Sequence, residues 1–497
     1  MFNGNSTAGG QLSKTKIGLI LGPVSFLILL LVPLSMPVEA RRCLAVAAWM
    51  AIWWITEALP LAVTSLLPLV LIPILGFGNA QSVAAPYADK NVILFLGSFI
   101  IAQSIVRWNL HQRLALSIVN LTGTSPRIIV LGFMVATGVL SIWISNTAAA
   151  IALMPVGLSV SSLVANQIKK QNLPLKTGKG EFNFGIALML GIAFSASIGG
   201  LGSPIGTPPN LIFISTLHEI YPEIQVDFVT WMTFGIPMVV IFIPVAWIIL
   251  VTIFKPGFKE IPGGKELMRT ELKKLGAWSR GEKTVIWIFA IVVLAWIIRP
   301  FLLNPFVSKL IDDSTIAVFG AILLFILPIS WERGTFAMDW ENAAKIPWDV
   351  LLLIGGGLSL AQVINSSGLA GWLGDQMMVI RSLSPFLIVL VIVIFASLLS
   401  EVTSNTALAA ILMPVMAGLS SGIGISPVAT MLAAAVAVSF VFLMPVGTPP
   451  NAVIFSSGYL RVADMIRGGI WVKIAIVIIG ALLIYFLAFP LITRLAG

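Results

Sequence analysis

The sequence predicts an all-α polytopic membrane protein: two inverted repeats of five transmembrane helices plus one re-entrant hairpin each, preceded by one extra N-terminal helix. Three observations predict it. The 497-residue chain is 58% hydrophobic and only 10% charged, whereas soluble domains carry about 25% charged residues. Apolar runs near 20 residues recur along it, long enough to cross a hydrocarbon core of about 30 Å as helices. Helices are the form lipid demands, because they satisfy every backbone N–H and C=O internally. Finally, two short polar motifs occur twice, in the same order.

The elements follow from apolar runs and the Pro, Gly or charged residues that interrupt them. The run at 17–35 follows Lys14 and Lys16 and is read as a retained first span. As a cleaved leader it would be long, and Arg41 and Arg42 would follow the cut closely. Spans at 43–59, 61–76 and 90–118 precede a Pro-bounded region at 127–165, then spans at 184–214 and 226–254. The polar stretch 255–283 divides the chain. Beyond it come 284–303, 313–330 and 348–376, a second bounded region at 385–421, then 428–456 and 468–492.

The two halves match in spacing. "SNTAAAIALMPVGLSVSS" begins at Ser145 and "SNTALAAILMPVMAGLSS" at Ser404, 259 residues later, and Ser141 and Ser400 precede them at the same offset. "GTPPN" occupies 206–210 and 447–451, now 241 apart, because a longer polar linker follows the first triplet. Each triplet lies between apolar runs of about 15 residues, short for a span, so a re-entrant hairpin with the triplet at its tip is expected. Such hairpins leave five crossings per half, and an odd number inverts the second half. With the N-terminus in the cytoplasm, inside segments hold 22 Lys and Arg against seven outside, as the positive-inside rule requires. The C-terminus is then outside.

Several function classes fall away. The lone Cys43 excludes an intrachain disulfide and a cysteine metal cluster, and His111 and His218 belong to no HExxH pattern. The apolar core offers no Ser–His pair, paired Asp motif or metal motif, so no enzyme is expected. The net charge of +9 gathers in inner segments, eight Lys and Arg in 255–283 and four in 166–183. That placement suits anionic lipid rather than nucleic acid, and "GGKELMRTELKKLGAW" is expected to lie as a helix along the inner leaflet.

The repeated motifs carry the chemistry. Ser, Asn and Thr are preferred at helix N-caps, and the alanine-rich runs behind the triplets are good helix formers. A helix mouth offers free N–H groups and a partial positive charge, so a carboxylate binds there without a fixed Arg or Lys. Two such mouths suit the two ends of one small diacid, with Asn146, Thr147, Asn405 and Thr406 supplying side-chain contacts. Pro208-Pro209 and Pro449-Pro450 are expected to break helices within the membrane, freeing carbonyls near Gly206 and Gly447. Hard oxygens there suit sodium: Ser141, Ser145, Asn146 and Gly206 for one ion, and Ser400, Thr403, Ser404, Asn405 and Gly447 for another. Glu57 and Glu401 are expected to brace scaffold or hairpin, with a coupled proton as the alternative. Lys473 is expected to snorkel to the inner surface.

Twin SNT triplets, each followed by a Pro-Pro motif, resemble the divalent-anion:sodium symporter family. So do "MAIWWITEALPLAVTSLLPLVLIP" (50–73) and "SEVTSNTA" (400–407). The resemblance covers nearly the whole chain. It implies a homodimer in the cell (inner) membrane, with eleven spans and two hairpins per subunit, and an elevator-like transport domain sliding against a scaffold. In this division 1–15 is a cytoplasmic tail, 16–126 and 284–383 are scaffold, 127–254 and 384–497 are the transport halves, and 255–283 is the linker. Thr207, Pro208, Thr448 and Pro449 join the SNT residues as expected substrate contacts. The expected activity is sodium-coupled uptake of C4-dicarboxylates. The alternatives are sodium-independent dicarboxylate exchange, or sodium-coupled transport of citrate or sulfate.

Overall fold

The computed structural model describes residues 5–121, 125–171, 174–178, 180–258, 260, 270, 272–302, 311–376 and 382–495. The first half contains α1 (Asn5–Leu31), α2 (Val38–Thr56), α3 (Leu67–Leu75), α4 (Lys90–Arg107), α5 (Leu110–Asn120), α6 (Pro126–Ser141), α7 (Asn146–Lys170), α8 (Asn183–Gly199), α9 (Pro208–Ile220) and α10 (Phe228–Ile253). The second contains α11 (Arg280–Leu302), α12 (Asp313–Ile326), α13 (Trp348–Ser366), α14 (Leu369–Gln376), α15 (Pro385–Leu399), α16 (Asn405–Ile423), α17 (Pro427–Ala437), α18 (Pro449–Phe455) and α19 (Val462–Leu483). Among the described residues the one sheet is a small antiparallel ribbon, Pro328–Ser330 against Thr335–Phe336. Nine described helices are long and apolar enough to cross a membrane. Half of the inner-leaflet helix expected within 255–283 lies outside the described residues.

Helix starts recur because their local signals do. Helices α5 and α14, α6 and α15, and α7 and α16 begin 259 residues apart, and α9 and α18 begin 241 apart. Pro126 and Pro385 open α6 and α15, where a missing N–H costs nothing. Before α5 and α14 the backbone turns through left-handed residues, Asn109 at φ 53 and Gly368 at φ 79. The arms before the triplets are 16 and 15 residues long, close to expectation. The arms after them, 25 and 19 residues, are longer than expected, because Pro155 and Pro414 sit inside α7 and α16 without ending them.

The halves interlock. Helix α9, which follows the first break, packs against the second hairpin arm α16, and α18, after the second break, packs against α7. Helix α8 is buried from Phe184 to Gly199 and α17 from Val428 to Ala437, so both broken helices lie at the centre. Small residues allow this: Gly199 lies directly against the backbone of Gly138, the close approach that membrane interfaces favour. The periphery is apolar and exposed, with Val240, Ile248, Trp287, Ile291, Leu294, Trp471, Ile474 and Ile478 facing outward. That is a surface made for lipid.

Ion pairs tie the helix ends. Arg113 bonds Glu282 at 2.5 Å and the carbonyls of Leu275 and Gly276 at 3.1 Å, fixing the linker's last residues to α5. Arg107 bonds Asp339, and Arg299 bridges Asp227 (3.1 Å) and Asp313 (2.8 Å).

Candidate functional site: two unwound helices beneath two capped helix mouths

Each triplet opens a helix, and serine is its cap. Ser145 Oγ accepts from Ala148 N at 3.2 Å and Ser404 Oγ from Ala407 N at 3.5 Å. Asn146, Thr147, Asn405 and Thr406 follow in the first turns, half-buried, where backbone N–H groups have no helical partner.

In the first half, α8 stops where Gly199, Gly200 and Gly202 cluster, and 203–207 is irregular. These glycines make room for polar atoms. A Cβ on Gly200 would lie 2.5 Å from the Asn146 amide oxygen, and one on Gly206 would lie 2.5 Å from Gly200 O and 2.9 Å from Ser141 O. Ser141 Oγ is 2.6 Å from the Asn146 amide and 2.7 Å from Ala196 O. With its nitrogen inward, Asn146 donates to Gly206 O (3.2 Å) and Ala196 O (3.1 Å). With its oxygen inward, it would instead join an all-oxygen cluster of the kind that can surround a small cation. Ser141, Asn146 and Gly206 are thus brought together, and Ser145 remains at the exposed mouth.

In the second half, Ser400 Oγ lies 2.9 Å from Asn405 Oδ1 and 2.5 Å from Val438 O. One hydroxyl hydrogen serves one of two acceptors, so this cluster is also oxygen-rich. A Cβ on Gly447 would collide with Val441 Cγ1 and lie 3.3 Å from Glu401 O and 3.4 Å from Met444 O. Thr403 Oγ1 donates to Leu399 O at 2.9 Å, closing the preceding arm. Thr207 and Thr448 are buried N-caps, and Thr448 Oγ1 accepts from Asn451 N at 3.4 Å.

Three expectations need correction. Pro208 and Pro449 do not interrupt running helices; each stands at N1 of a new one, and the preceding helices have already ended at the glycines and at Ala437. Lys473 does not snorkel: it is 5% exposed, and its Nζ donates to Glu401 Oε1 at 2.8 Å and Ser397 O at 2.6 Å. An acceptor 72 residues away in sequence outweighs the interface. Glu57 braces nothing among the described residues. It is the exposed left-handed C-cap of α2 (φ 49), and no side-chain bond holds it there. Glu401, in contrast, is buried and does brace the hairpin.

The sequence reading missed Asn210 and Asn451, the last residues of the two GTPPN motifs. Asn210 Nδ2 donates to Gly200 O (2.9 Å) and Ser203 O (2.8 Å), and Asn451 Nδ2 to Val441 O (3.3 Å) and Met444 O (3.2 Å). Each asparagine staples its own unwound segment. Their recurrence in the quoted motif was the available signal.

Two unwound helices buried at the centre of a lipid-faced bundle, with helix mouths beside clustered oxygens, are the construction of a secondary transporter. The chain is an integral membrane protein and belongs to the sodium:sulfate symporter family, whose transmembrane-region profile matches residues 13–493. It is 43% identical over 481 residues to the sodium-dependent dicarboxylate transporter SdcS of Staphylococcus saprophyticus, covering 95% of this chain and 91% of that protein. The SdcS of Staphylococcus aureus strain USA300 is 43% identical over 484 residues, covering 96% and 91%. Among solved structures, the YdaH transporter of Alcanivorax borkumensis aligns with TM-score 0.58 at 16% identity, covering 82% of this chain and 86% of that one. MtrF of Neisseria gonorrhoeae, from a class of antimetabolite efflux pumps, aligns with TM-score 0.55 at 14% identity, covering 81% and 83%. These two likenesses concern the fold alone.

Proposed function

We propose that the protein imports C4-dicarboxylates such as succinate, malate and fumarate, coupled to sodium, by an elevator-type movement of its two transport halves. One observation carries the reading: each half places an oxygen cluster around an asparagine at the mouth of a serine-capped helix. The cluster suits a small cation, and the mouth beside it suits a carboxylate. Substrate lies between the mouths, against Asn146, Thr147, Asn405 and Thr406, with Thr207, Pro208, Thr448 and Pro449 behind. Sodium sits at Ser141, Ser145, Asn146 and Gly206 in one half, and at Ser400, Thr403, Ser404, Asn405 and Gly447 in the other. The names of the 43%-identical relatives agree with sodium and a dicarboxylate.

The protein works as a homodimer in the cell membrane, N-terminus inside and C-terminus outside, as inverted repeats. The interlocking of α9 with α16 and α18 with α7 supports one transport unit built from both halves. The test is labelled-succinate uptake into proteoliposomes under an inward sodium gradient. Uptake that collapses when potassium replaces sodium, and in Asn405→Ala, is the expected result. Uptake indifferent to sodium but requiring preloaded succinate identifies an exchanger instead. Competition by sulfate or citrate, rather than malate, would move the substrate class, since two neutral mouths accept other multivalent anions.

A further inference from the structure

We propose that Glu401 and Lys473 are positioning residues that pre-form the second half's ion site, making the two sodium sites unequal; this rests on the sodium-coupled reading above. The Glu401 carboxylate accepts from three consecutive amides of the unwound segment: Phe442 N (3.0 Å), Leu443 N (3.1 and 3.2 Å) and Met444 N (3.1 Å). Lys473 Nζ completes the arrangement, donating to Glu401 Oε1 (2.8 Å), Ser397 O (2.6 Å) and Phe440 O (3.2 Å). Both are buried, at 4% and 5% exposure. Successive amides facing one anion form a nest, and charged acceptors make the stronger hydrogen bonds. These three N–H groups are therefore satisfied by protein. The segment's carbonyls at Val441 and Met444 are held by Asn451; Met444 O also accepts from Gly447 N (3.3 Å), while Val441 O keeps a second lone pair. Nothing in this framework requires a bound ion.

Among the described residues the first half has no such device. Ile142 follows Ser141 where Glu401 follows Ser400, and Val239 stands where Lys473 does when α10 and α19 are aligned at their first residues. Its unwound segment is held by neutral bonds, Ser203 Oγ to Ile142 O (2.5 Å) and Asn210 Nδ2 to two carbonyls. There the Asn146 amide itself sits among the oxygens. Sodium must reorganise the first site but finds the second already built.

The experiment compares wild type with Glu401→Gln, Glu401→Asp and the double variant Glu401→Gln/Lys473→Met. Two readouts are used: uptake against sodium and succinate separately, and the rise in melting temperature when sodium chloride replaces choline chloride in substrate-free detergent solution. Glu401→Gln should raise the half-saturating sodium concentration about tenfold, within the usual range of coupling between sites. Its succinate KM at saturating sodium should stay within about twofold. Glu401→Asp should recover part of the loss. The double variant buries no unpaired charge, so it should regain most of the melting temperature that Glu401→Gln loses in choline while keeping the weakened response to sodium. A double variant that responds to sodium like wild type overturns the proposal, as does a Glu401→Gln effect equal on sodium and succinate. If Glu401→Gln does not fold, the double variant decides. If wild type takes up no succinate, the transport reading fails while the sodium-induced melting shift still judges this inference.

Discussion

Gly206 has carbonyl oxygens where a side chain would stand. A methyl group there would come within 2.5 Å of Gly200 O and 2.9 Å of Ser141 O, and both are backbone atoms that cannot swing aside. Overpacking of this kind costs about 1–3 kcal/mol, and 1.4 kcal/mol is about tenfold in affinity. Gly206→Ala should therefore weaken sodium activation of uptake about tenfold or more, while Gly371→Ala, with open space around it, should match wild type in the same assay. The motif residues around this cluster were legible because Ser, Asn, Thr and Gly-Pro-Pro are conspicuous in an apolar chain. Gly200 and Asn210 were not, since their roles depend on what the fold brings beside them. Lys473 was misread for the same reason: a lysine near a span's end snorkels unless an acid waits inside, and sequence order does not place Glu401 next to it.

At the scale of elements, start signals were more legible than stop signals. Prolines and serines mark where α6, α7, α15 and α16 begin. The first break is also written locally, in Gly199, Gly200 and Gly202. The second is not: "AAAVAVSFVFLMP" contains no glycine, and α17 ends at Ala437 ahead of a segment whose amides bond the Glu401 carboxylate instead. The turns before α5 and α14 offer a direct test of local control. An L-residue in left-handed backbone costs about 1–2 kcal/mol, so Gly368→Ala (φ 79) should lower the melting temperature, and Asn109→Gly (φ 53) should leave it unchanged or raise it. The linker's anchor offers another. Arg113 and Glu282 are both buried, and removing one partner of a buried pair costs about 3–5 kcal/mol, whereas replacing both with apolar residues is far milder. Arg113→Met should thus melt well below wild type, with Arg113→Met/Glu282→Leu recovering most of the difference.

At the scale of the whole molecule, composition was enough for the class, an all-helical membrane protein, while the plan of two inverted halves rests on the doubled motifs. Orientation is a separate matter, resting on charge counting. The ion pairs Arg107–Asp339, Arg113–Glu282 and Arg299 with Asp227 and Asp313 place their partners together, and say nothing of which face is cytoplasmic. Inverted halves make a sharper demand: corresponding loops must lie on opposite faces of the membrane. The loop after α9 exposes Glu223 and the end of α18 exposes Ser456, and these are equivalent places in the two halves. Cys43 is the sole cysteine and is buried, so a Cys43→Ala background is silent to thiol reagents. In intact cells a membrane-impermeant maleimide should label Glu223→Cys at once, and Ser456→Cys only after permeabilisation. Labelling of both from outside would mean that the halves run parallel, because an even number of crossings would then separate the two loops. The 385–421 region would then have to cross the membrane once rather than return to its own side, and the helix mouths would no longer approach one substrate from opposite sides.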